Sequence, residues 1–225
     1  MKSEHIRMIE TVAAGLKQKL DDVVFVGGSV LEFYVDDPAL EKPRATDDVD
    51  VVVEIAARTR YDQFESELRA LGFVNDLTGP ACRFVYDEVK MDVIATKENV
   101  SGFTNMWYDA GFDKSILKEA GGFKIRIFPI EYFIASKFEA FKNRGGADHM
   151  ASHDLEDIIY IFDGKNSIEN DIMNSDKAVN KYLNSELKNL VMNPQIREII
   201  NGHLGYNLFT ERVDRIIRIF EKIAA

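Results

Sequence analysis

Three aspartates in the first half of the sequence have the type and spacing of a divalent-metal site. Asp48 and Asp50 are one residue apart in a β-branched run, so their side chains point to the same face of a strand. Asp92 is an acid inside an otherwise apolar run. Three carboxylates close together would repel one another unless cations neutralised them. Oxygen-only ligands favour Mg²⁺ or Mn²⁺ over zinc, and bound Mg²⁺ commonly completes its shell with substrate phosphates.

A glycine pair supplies the features of a phosphate-binding turn. Gly27, Gly28 and Ser29 follow the apolar run 23–26 and precede a short predicted helix. Glycines let backbone N–H groups approach a phosphate closely, and a helix N-terminus favours negative charge. The pattern is neither a P-loop nor a dinucleotide fingerprint. Each feature alone also fits a plain turn, a solvated strand end or a surface acid, but their order along the chain favours a functional site.

Composition limits the classes of protein to consider. The 225 residues include 28 Lys and Arg against 38 Asp and Glu, a net charge of −10, which argues against a broad basic surface for nucleic acid. The single cysteine, Cys82, cannot form an internal disulfide, so we expect a reducing, cytoplasmic setting. We expect neither a secretory signal nor a membrane span, because no apolar run approaches about 20 residues.

Hydrophobic periodicity divides the chain into an α/β half, residues 1–128, and a helical half, residues 129–225. In the first half, helices are predicted at 3–20 and 59–71, the latter ended by Gly72, and strands at 23–26, 49–53, 82–86, 89–95 and 123–128. Asp87 and Glu88 are the predicted turn of a hairpin. In the second half, helices are predicted at 130–141, 155–162, 178–191, 196–204 and 209–223. The fold class is therefore α/β (α+β): a small mixed sheet flanked by helices, followed by a helical C-terminal region.

The order of these motifs resembles the DNA-polymerase-β-like nucleotidyltransferase superfamily. That superfamily has a Gly-Gly-Ser/Thr turn, then two acids separated by one residue, then a third carboxylate on a later strand. A closer resemblance, over most of residues 24–164, is to the AbiEii/AbiGii toxin-type nucleotidyltransferases and their MenT relatives. The matching segments are 34–38, 44–51, 82–83, 102–108, 136–145 and 152–158. This sequence departs from the family at Asp47, where lysine is frequent. The loop between Ser29 and Asp48 is also longer than in the minimal superfamily pattern.

The resemblance implies transfer of a nucleoside monophosphate from an NTP to an acceptor hydroxyl, with Mg²⁺ or Mn²⁺ as cofactor. It assigns the metal and the chemistry to Asp48, Asp50 and Asp92, and the nucleotide phosphates to Lys137. The implied nucleotide-binding residues are Gly27, Gly28, Ser29, Thr46, Arg83, Arg144, Asp154 and Asp157. Alternatives stay open: Arg83 fits a structural ion pair, and Lys137 fits a side chain that extends to solvent. Ser152 and the acids after it also fit an ordinary helix start.

The acceptor is the least determined part of the function. The MenT resemblance implies the 3′ end of tRNA and a toxin with a cognate antitoxin, whereas other superfamily branches modify proteins or aminoglycoside-like molecules. A row of basic residues offers a local surface for RNA, or simply a solvated helix face: Arg212, Arg215, Arg218 and Lys222. A nucleotide-binding regulator without turnover is the alternative from another class. The excess acids lie mainly in residues 32–54 and 137–164, the segments predicted to surround the metal.

Overall fold

The computed structural model describes residues 2–37, 39–55, 57–97, 100, 104–144, 148–205 and 210–225. Among the predicted elements and the short matching segments, residues Pro38, Gly102, Phe103, Gly145 and Phe209 lie outside these ranges. The chain forms two compact units, one of residues 1–33 and 44–129 and the other of residues 34–43 and 130–225. Within the described ranges, no helix has the length and apolar character needed to cross a membrane.

A mixed sheet of seven strands forms the centre of the first unit. Its strands are β1 (Val23–Val26), β2 (Asp48–Val53), β3 (Val74–Asn75), β4 (Arg83–Tyr86), β5 (Val89–Ala95), β6 (Ile116–Ala120) and β7 (Phe123–Ile127). Their spatial order is β3-β4-β5-β2-β1-β7-β6. The pairs β2–β5 and β1–β7 are parallel, and the other neighbours are antiparallel. The predicted mixed sheet is therefore confirmed.

The strongest sequence signals belong to the central strands. Val49, Val51 and Val52 on β2 are fully buried, which explains why that segment is an almost continuous apolar run. Strand β6, by contrast, was not predicted. It lies at the edge of the sheet, where Ile116 and Leu117 are exposed, so its residues show neither an apolar run nor an alternation.

The hairpin between β4 and β5 turns at the two predicted residues. Asp87 and Glu88 have φ values of 47° and 66°, the left-handed conformations that a two-residue type I′ turn requires at both positions. This turn fixes the pairing of the two strands, in which Arg83 lies opposite Asp92. The turn therefore contributes directly to the position of two candidate site residues.

Among the described residues of the first unit, the α-helices α1 (Glu4–Leu16), α2 (Arg58–Ala70) and α3 (Tyr108–Asp113) accompany the sheet. The predicted helix over 3–20 ends earlier, because Lys17 takes a φ of 51° and the chain continues as a 3₁₀ helix, Lys17–Asp22. Gly72, with a φ of +99°, follows α2 as predicted. A second 3₁₀ helix, Gly28–Phe33, follows β1.

Helices make up the second unit. They are α4 (Ile130–Asn143), α5 (His153–Gly164), α6 (Ile168–Met173), α7 (Lys177–Val191), α8 (Ile196–His203) and α9 (Thr210–Ala224). Helix α6 was not predicted, since six residues contain too little of a helical period. Ser152 caps α5 by accepting a hydrogen bond from the backbone N–H of Leu155, at 3.3 Å.

The segment 34–43 belongs to this helical unit, although the sequence prediction grouped it with residues 1–128. The backbone N–H groups of Asp36 and Asp37 both donate to the carbonyl of Gly164, at 2.9 and 3.3 Å. That carbonyl ends α5 and has no partner within the helix. Lys165 adds an ion pair with Asp36 at 2.8 Å. Hydrophobic periodicity in the sequence does not predict such a contact, because its partners are about 130 residues apart.

The strained turn provides a test of the hairpin. Replacing Glu88 with glycine should raise the free energy of unfolding by roughly 1 kcal/mol, because glycine takes a positive φ without the steric cost of a Cβ. Urea unfolding of the purified protein measures the change. Glu88→Ala is the matched control, since alanine loses the carboxylate but keeps the strain. Equal stability of the two variants would contradict this account of the turn.

Candidate functional site

The sheet register brings the candidate acids into one row. Asp50 on β2 pairs with Asp92 on β5, and Asp92 pairs with Arg83 on β4. Directly paired residues on neighbouring strands project to the same face. Asp48 lies two residues before Asp50 on the same strand and therefore also projects to that face. The register of β2 and β5 therefore places the three candidate carboxylates on one face of the sheet.

Arg83 joins two of these acids. Its Nε and Nη2 atoms donate to the two carboxylate oxygens of Asp92, at 2.7 and 2.8 Å, and Nη2 also donates to Asp48 Oδ2 at 2.7 Å. The Arg83 side chain is only 17% exposed and that of Asp92 12%. The hydrogen bond with Asp92 raises the pKa of Arg83 further above its already high value, so the guanidinium stays charged. Parallel bonds of this kind are among the strongest charge-assisted hydrogen bonds in proteins.

Thr46 holds the other oxygen of Asp48. Its hydroxyl donates to Asp48 Oδ1 at 3.1 Å, while Arg83 contacts Oδ2. Both carboxylate oxygens of Asp48 are thus oriented by neighbours. Thr46 was predicted to bind nucleotide; the contact seen here is with a candidate metal ligand, and the nucleotide contact stays a prediction.

Gly27 allows the close approach of Asp50. The residue has a φ of +74°, and a Cβ at this position would overlap with Asp50 Oδ2. Only glycine therefore satisfies both the backbone conformation and the position of the carboxylate. Gly28 has no such conformational requirement, and a Cβ there would lie 3.1 Å from Arg44 Nη2.

Arg44 is a site neighbour that the sequence argument did not single out. Its guanidinium lies beside the glycine turn, as the distance from Gly28 shows. The signal available in the sequence was a lone arginine at the start of the matched segment 44–51, inside an acidic stretch. A guanidinium beside a turn rich in backbone N–H groups adds positive charge where a phosphate would be favoured.

The Ser29 side chain is buried and contacts the backbone. The residue is fully buried, and its hydroxyl oxygen lies 3.5 Å from the carbonyl oxygen of Val26, to which it donates. This contact ties the beginning of the 3₁₀ helix to the end of β1. The predicted contact between Ser29 and a phosphate stays a prediction.

The three candidate carboxylates are suitable ligands for a hard divalent ion, although their positions do not form a complete metal site. Asp48, Asp50 and Asp92 offer only oxygen ligands, and the convergence of Asp48 and Asp92 on one guanidinium shows that both can face a common cation. Among the described residues, no group of three or more Asp, Glu, His or Cys side chains has the geometry to hold a metal ion. In this arrangement the cation between Asp48 and Asp92 is Arg83.

A second cluster of charges lies in the helical unit. Lys137 on α4 contacts Asp157 at 2.5 Å and Asp154 at 3.4 Å, and Arg144 contacts Asp154 at 2.8 Å. Lys137, Asp154 and Asp157 are all buried, at 8%, 3% and 0% exposure. The alternative in which Lys137 extends to solvent is therefore wrong. Since burying a charge is costly unless it is paired, these contacts make the cluster a single electrostatic unit.

The two acids of this cluster come from the first turns of α5. Asp154 and Asp157 are three residues apart, which places them on one face of the helix. The sequence alone does not distinguish which of them serves Lys137, and both contact it. The role of Lys137 and Arg144 toward a nucleotide stays a prediction.

The basic row on α9 is largely occupied by intramolecular ion pairs. Arg212 and Arg215 both bind the carboxylate of Asp163, which is 5% exposed, and Lys222 binds Glu169 at 3.1 Å. Asp163 raises the pKa of Arg212 through their hydrogen bond. Arg218 is exposed. Most of this row therefore joins helices within the second unit.

Comparisons with known proteins concern the family and the fold of the chain. A family model described as nucleotidyl transferase AbiEii toxin, type IV toxin–antitoxin system, matches residues 12–218. The structure is similar to the crystal structure of an antigenic nucleotidyltransferase-like protein from Paracoccidioides brasiliensis, with a TM-score of 0.51 and 18% identity. That match covers 90% of this chain and 94% of the other, and at this identity it concerns the fold. A search of curated proteins finds no match.

The two glycines of the turn make a matched pair of variants. Gly27→Ala should lower the free energy of unfolding by about 2 kcal/mol more than Gly28→Ala, because it adds both a left-handed strain and an overlap with Asp50. Urea unfolding measures both. If the two variants were equally stable, Gly27 would not be the residue that makes room for Asp50.

The buried cluster gives a second stability test. Asp157→Asn should cost about 3 kcal/mol of unfolding free energy, because it removes the carboxylate that contacts the buried Lys137 ammonium at 2.5 Å. Glu156→Gln, on the same turn of α5 and paired with the exposed His153, should change stability by less than about 0.5 kcal/mol. Chemical denaturation compares them, and a cost for Asp157→Asn as small as for Glu156→Gln would refute the electrostatic role of the pair.

Proposed function

Because the chain belongs to the AbiEii nucleotidyltransferase toxin family, we propose that it transfers a nucleoside monophosphate from an NTP to an acceptor hydroxyl, with a divalent cation as cofactor. The observation that carries the proposal is the convergence of Asp48 and Asp92 on one cation, next to Asp50 and the glycine turn. The three carboxylates offer oxygen ligands for a hard metal ion, and the neighbouring glycine turn offers backbone N–H groups for phosphate.

Asp48 and Asp50 are the proposed ligands of Mg²⁺ or Mn²⁺, with Asp92 as third carboxylate. When bound, such an ion supplies positive charge to the phosphate oxygens and lowers the barrier to attack on phosphorus. Thr46 and the Gly27 turn keep Asp48 and Asp50 in position before substrate arrives. Backbone N–H groups of the turn and the nearby Arg44 guanidinium favour the triphosphate at this end of β1.

In the proposed reaction, the acceptor hydroxyl oxygen bonds to the α-phosphorus while the bond from that phosphorus to the bridging oxygen breaks. Pyrophosphate leaves, and the hydroxyl proton passes to a carboxylate of the cluster or to water. Lys137 is proposed to neutralise phosphate charge; its pairing with Asp154 and Asp157 supports a fixed, charged ammonium.

For the acceptor we propose an RNA hydroxyl, with the 3′ end of tRNA as the first substrate to test, and a toxin role countered by a cognate antitoxin. The family description as a toxin of a type IV system supports this choice. A protein hydroxyl is the second candidate, favoured by the net charge of −10 and by the ion pairs that occupy most of the basic row on α9.

The experiment is incubation with each NTP labelled at the α-phosphate, Mg²⁺ or Mn²⁺, and either total tRNA or total protein. Asp48→Asn and Asp50→Asn should reduce label transfer more than about a hundredfold, beyond the loss typical of outer-sphere partners of a metal. EDTA should abolish transfer by the unaltered protein.

Asp62→Asn is the matched control, because Asp62 is an exposed acid of the same unit paired with Arg58. It should leave transfer unchanged. Full activity of the Asp48 and Asp50 variants would disprove the metal assignment, label on protein alone would exclude the RNA acceptor, and no transfer to any acceptor would favour a nucleotide-binding regulator.

A further inference from the structure

Arg83 is placed where a cation between the candidate metal ligands would lie. One guanidinium donates to three carboxylate oxygens, two from Asp92 and one from Asp48, at distances between 2.7 and 2.8 Å. A divalent ion at Asp48 and Asp92 would use the same oxygens. The Arg83 guanidinium and a divalent ion therefore require the same carboxylate oxygens of Asp48 and Asp92.

The position of Arg83 is built into the fold. Its backbone lies opposite Asp92 in the β4–β5 pairing, and its N–H donates to the carbonyl of Pro80 at 2.9 Å. The loop before β4 packs on its side chain, since a Cβ on Gly79 would lie 2.8 Å from Arg83 Cδ. With backbone, aliphatic stem and guanidinium all held, Arg83 is a fixed part of the cluster rather than a mobile surface arginine.

We propose that Arg83 is an internal counter-ion of the acid cluster, which competes with the divalent ion for Asp48 and Asp92. The inference rests on the proposed function, because it presupposes that these acids bind a metal ion. It adds that the protein without nucleotide binds this ion weakly, since a positive charge already neutralises two of the ligands. It also explains how three neighbouring carboxylates stay together in the absence of metal.

Binding of Mn²⁺ alone, without nucleotide, measures the competition directly. Isothermal titration or electron paramagnetic resonance gives the dissociation constant for the unaltered protein and for Arg83→Met, which keeps the aliphatic stem and removes the charge. Arg83→Met should bind Mn²⁺ at least about tenfold more tightly, because one positive charge beside the site is gone. Arg69→Met, an exposed arginine of the same unit paired with Glu65, should bind as the unaltered protein does.

Thermal unfolding supplies a readout that a purely structural role would not produce. In EDTA, Arg83→Met should be less stable than the unaltered protein, because Asp48 and Asp92 then face each other without a counter-ion. Mn²⁺ should restore most of this loss in Arg83→Met and raise the midpoint of the unaltered protein less. Arg83→Gln, which also removes the charge but keeps a hydrogen-bond donor, serves if Arg83→Met does not fold, and should bind Mn²⁺ more tightly than the unaltered protein.

The outcomes separate this inference from the proposed function. If the unaltered protein binds Mn²⁺ and the Arg83 variants bind it equally well or more weakly, Arg83 is not a competitor, and the proposed metal site stands. If neither the unaltered protein nor the variants bind Mn²⁺, both the competition and the metal part of the proposed function are wrong. Tighter binding by the variants, lost again on adding Asp50→Asn, would support both.

Discussion

The ion pairs of Arg83 with Asp92 and Asp48 are the interaction on which the candidate site depends. Carboxylates on adjacent strands with their side chains on one face repel one another, and folding does not remove that repulsion. A guanidinium among them converts a cluster of like charges into a set of short hydrogen bonds. The cation comes from the strand next to β5, so the arrangement requires the hairpin turn at Asp87 and Glu88 and the register that this turn imposes.

The same physical rule governs the helical unit. Lys137 is buried between two aspartates, and Asp163, also buried, binds two arginines of α9. In each case a buried carboxylate has a cation within hydrogen-bonding distance, as the cost of burying an unpaired charge demands. The three acids of these clusters, Asp154, Asp157 and Asp163, are matched by four cations, Lys137, Arg144, Arg212 and Arg215, so the acidic excess of the chain lies with its other residues.

Backbone conformation contributes as much to the site as side-chain charge. Asp50 occupies the space that a side chain at Gly27 would fill, and the positive φ of Gly27 turns the chain away at the end of β1. A glycine in this sequence pattern suggests phosphate binding, but the structure gives it a second task, which is to make room for a carboxylate. The position of the Asp50 carboxylate therefore depends on glycine at position 27.

The sequence by itself determined the central strands, most of the helices, the hairpin turn and the common face of Asp48 and Asp50, because these depend on local periodicity and on the alternation of side chains along one strand. It also carried the family resemblance that the comparison confirmed. The sequence did not predict the edge strand β6 or the short helix α6, because β6 is exposed and α6 is too short to show a hydrophobic pattern. Only the tertiary structure decided that Asp92 pairs with Asp50, that Arg83 lies between Asp92 and Asp48, and that Asp36 and Asp37 bind the carbonyl at the end of α5. Apart from the Arg83–Asp92 contact, which the hairpin brings together, these contacts join residues far apart in the chain. Strand order and helix packing, which no local pattern records, had to bring those residues together.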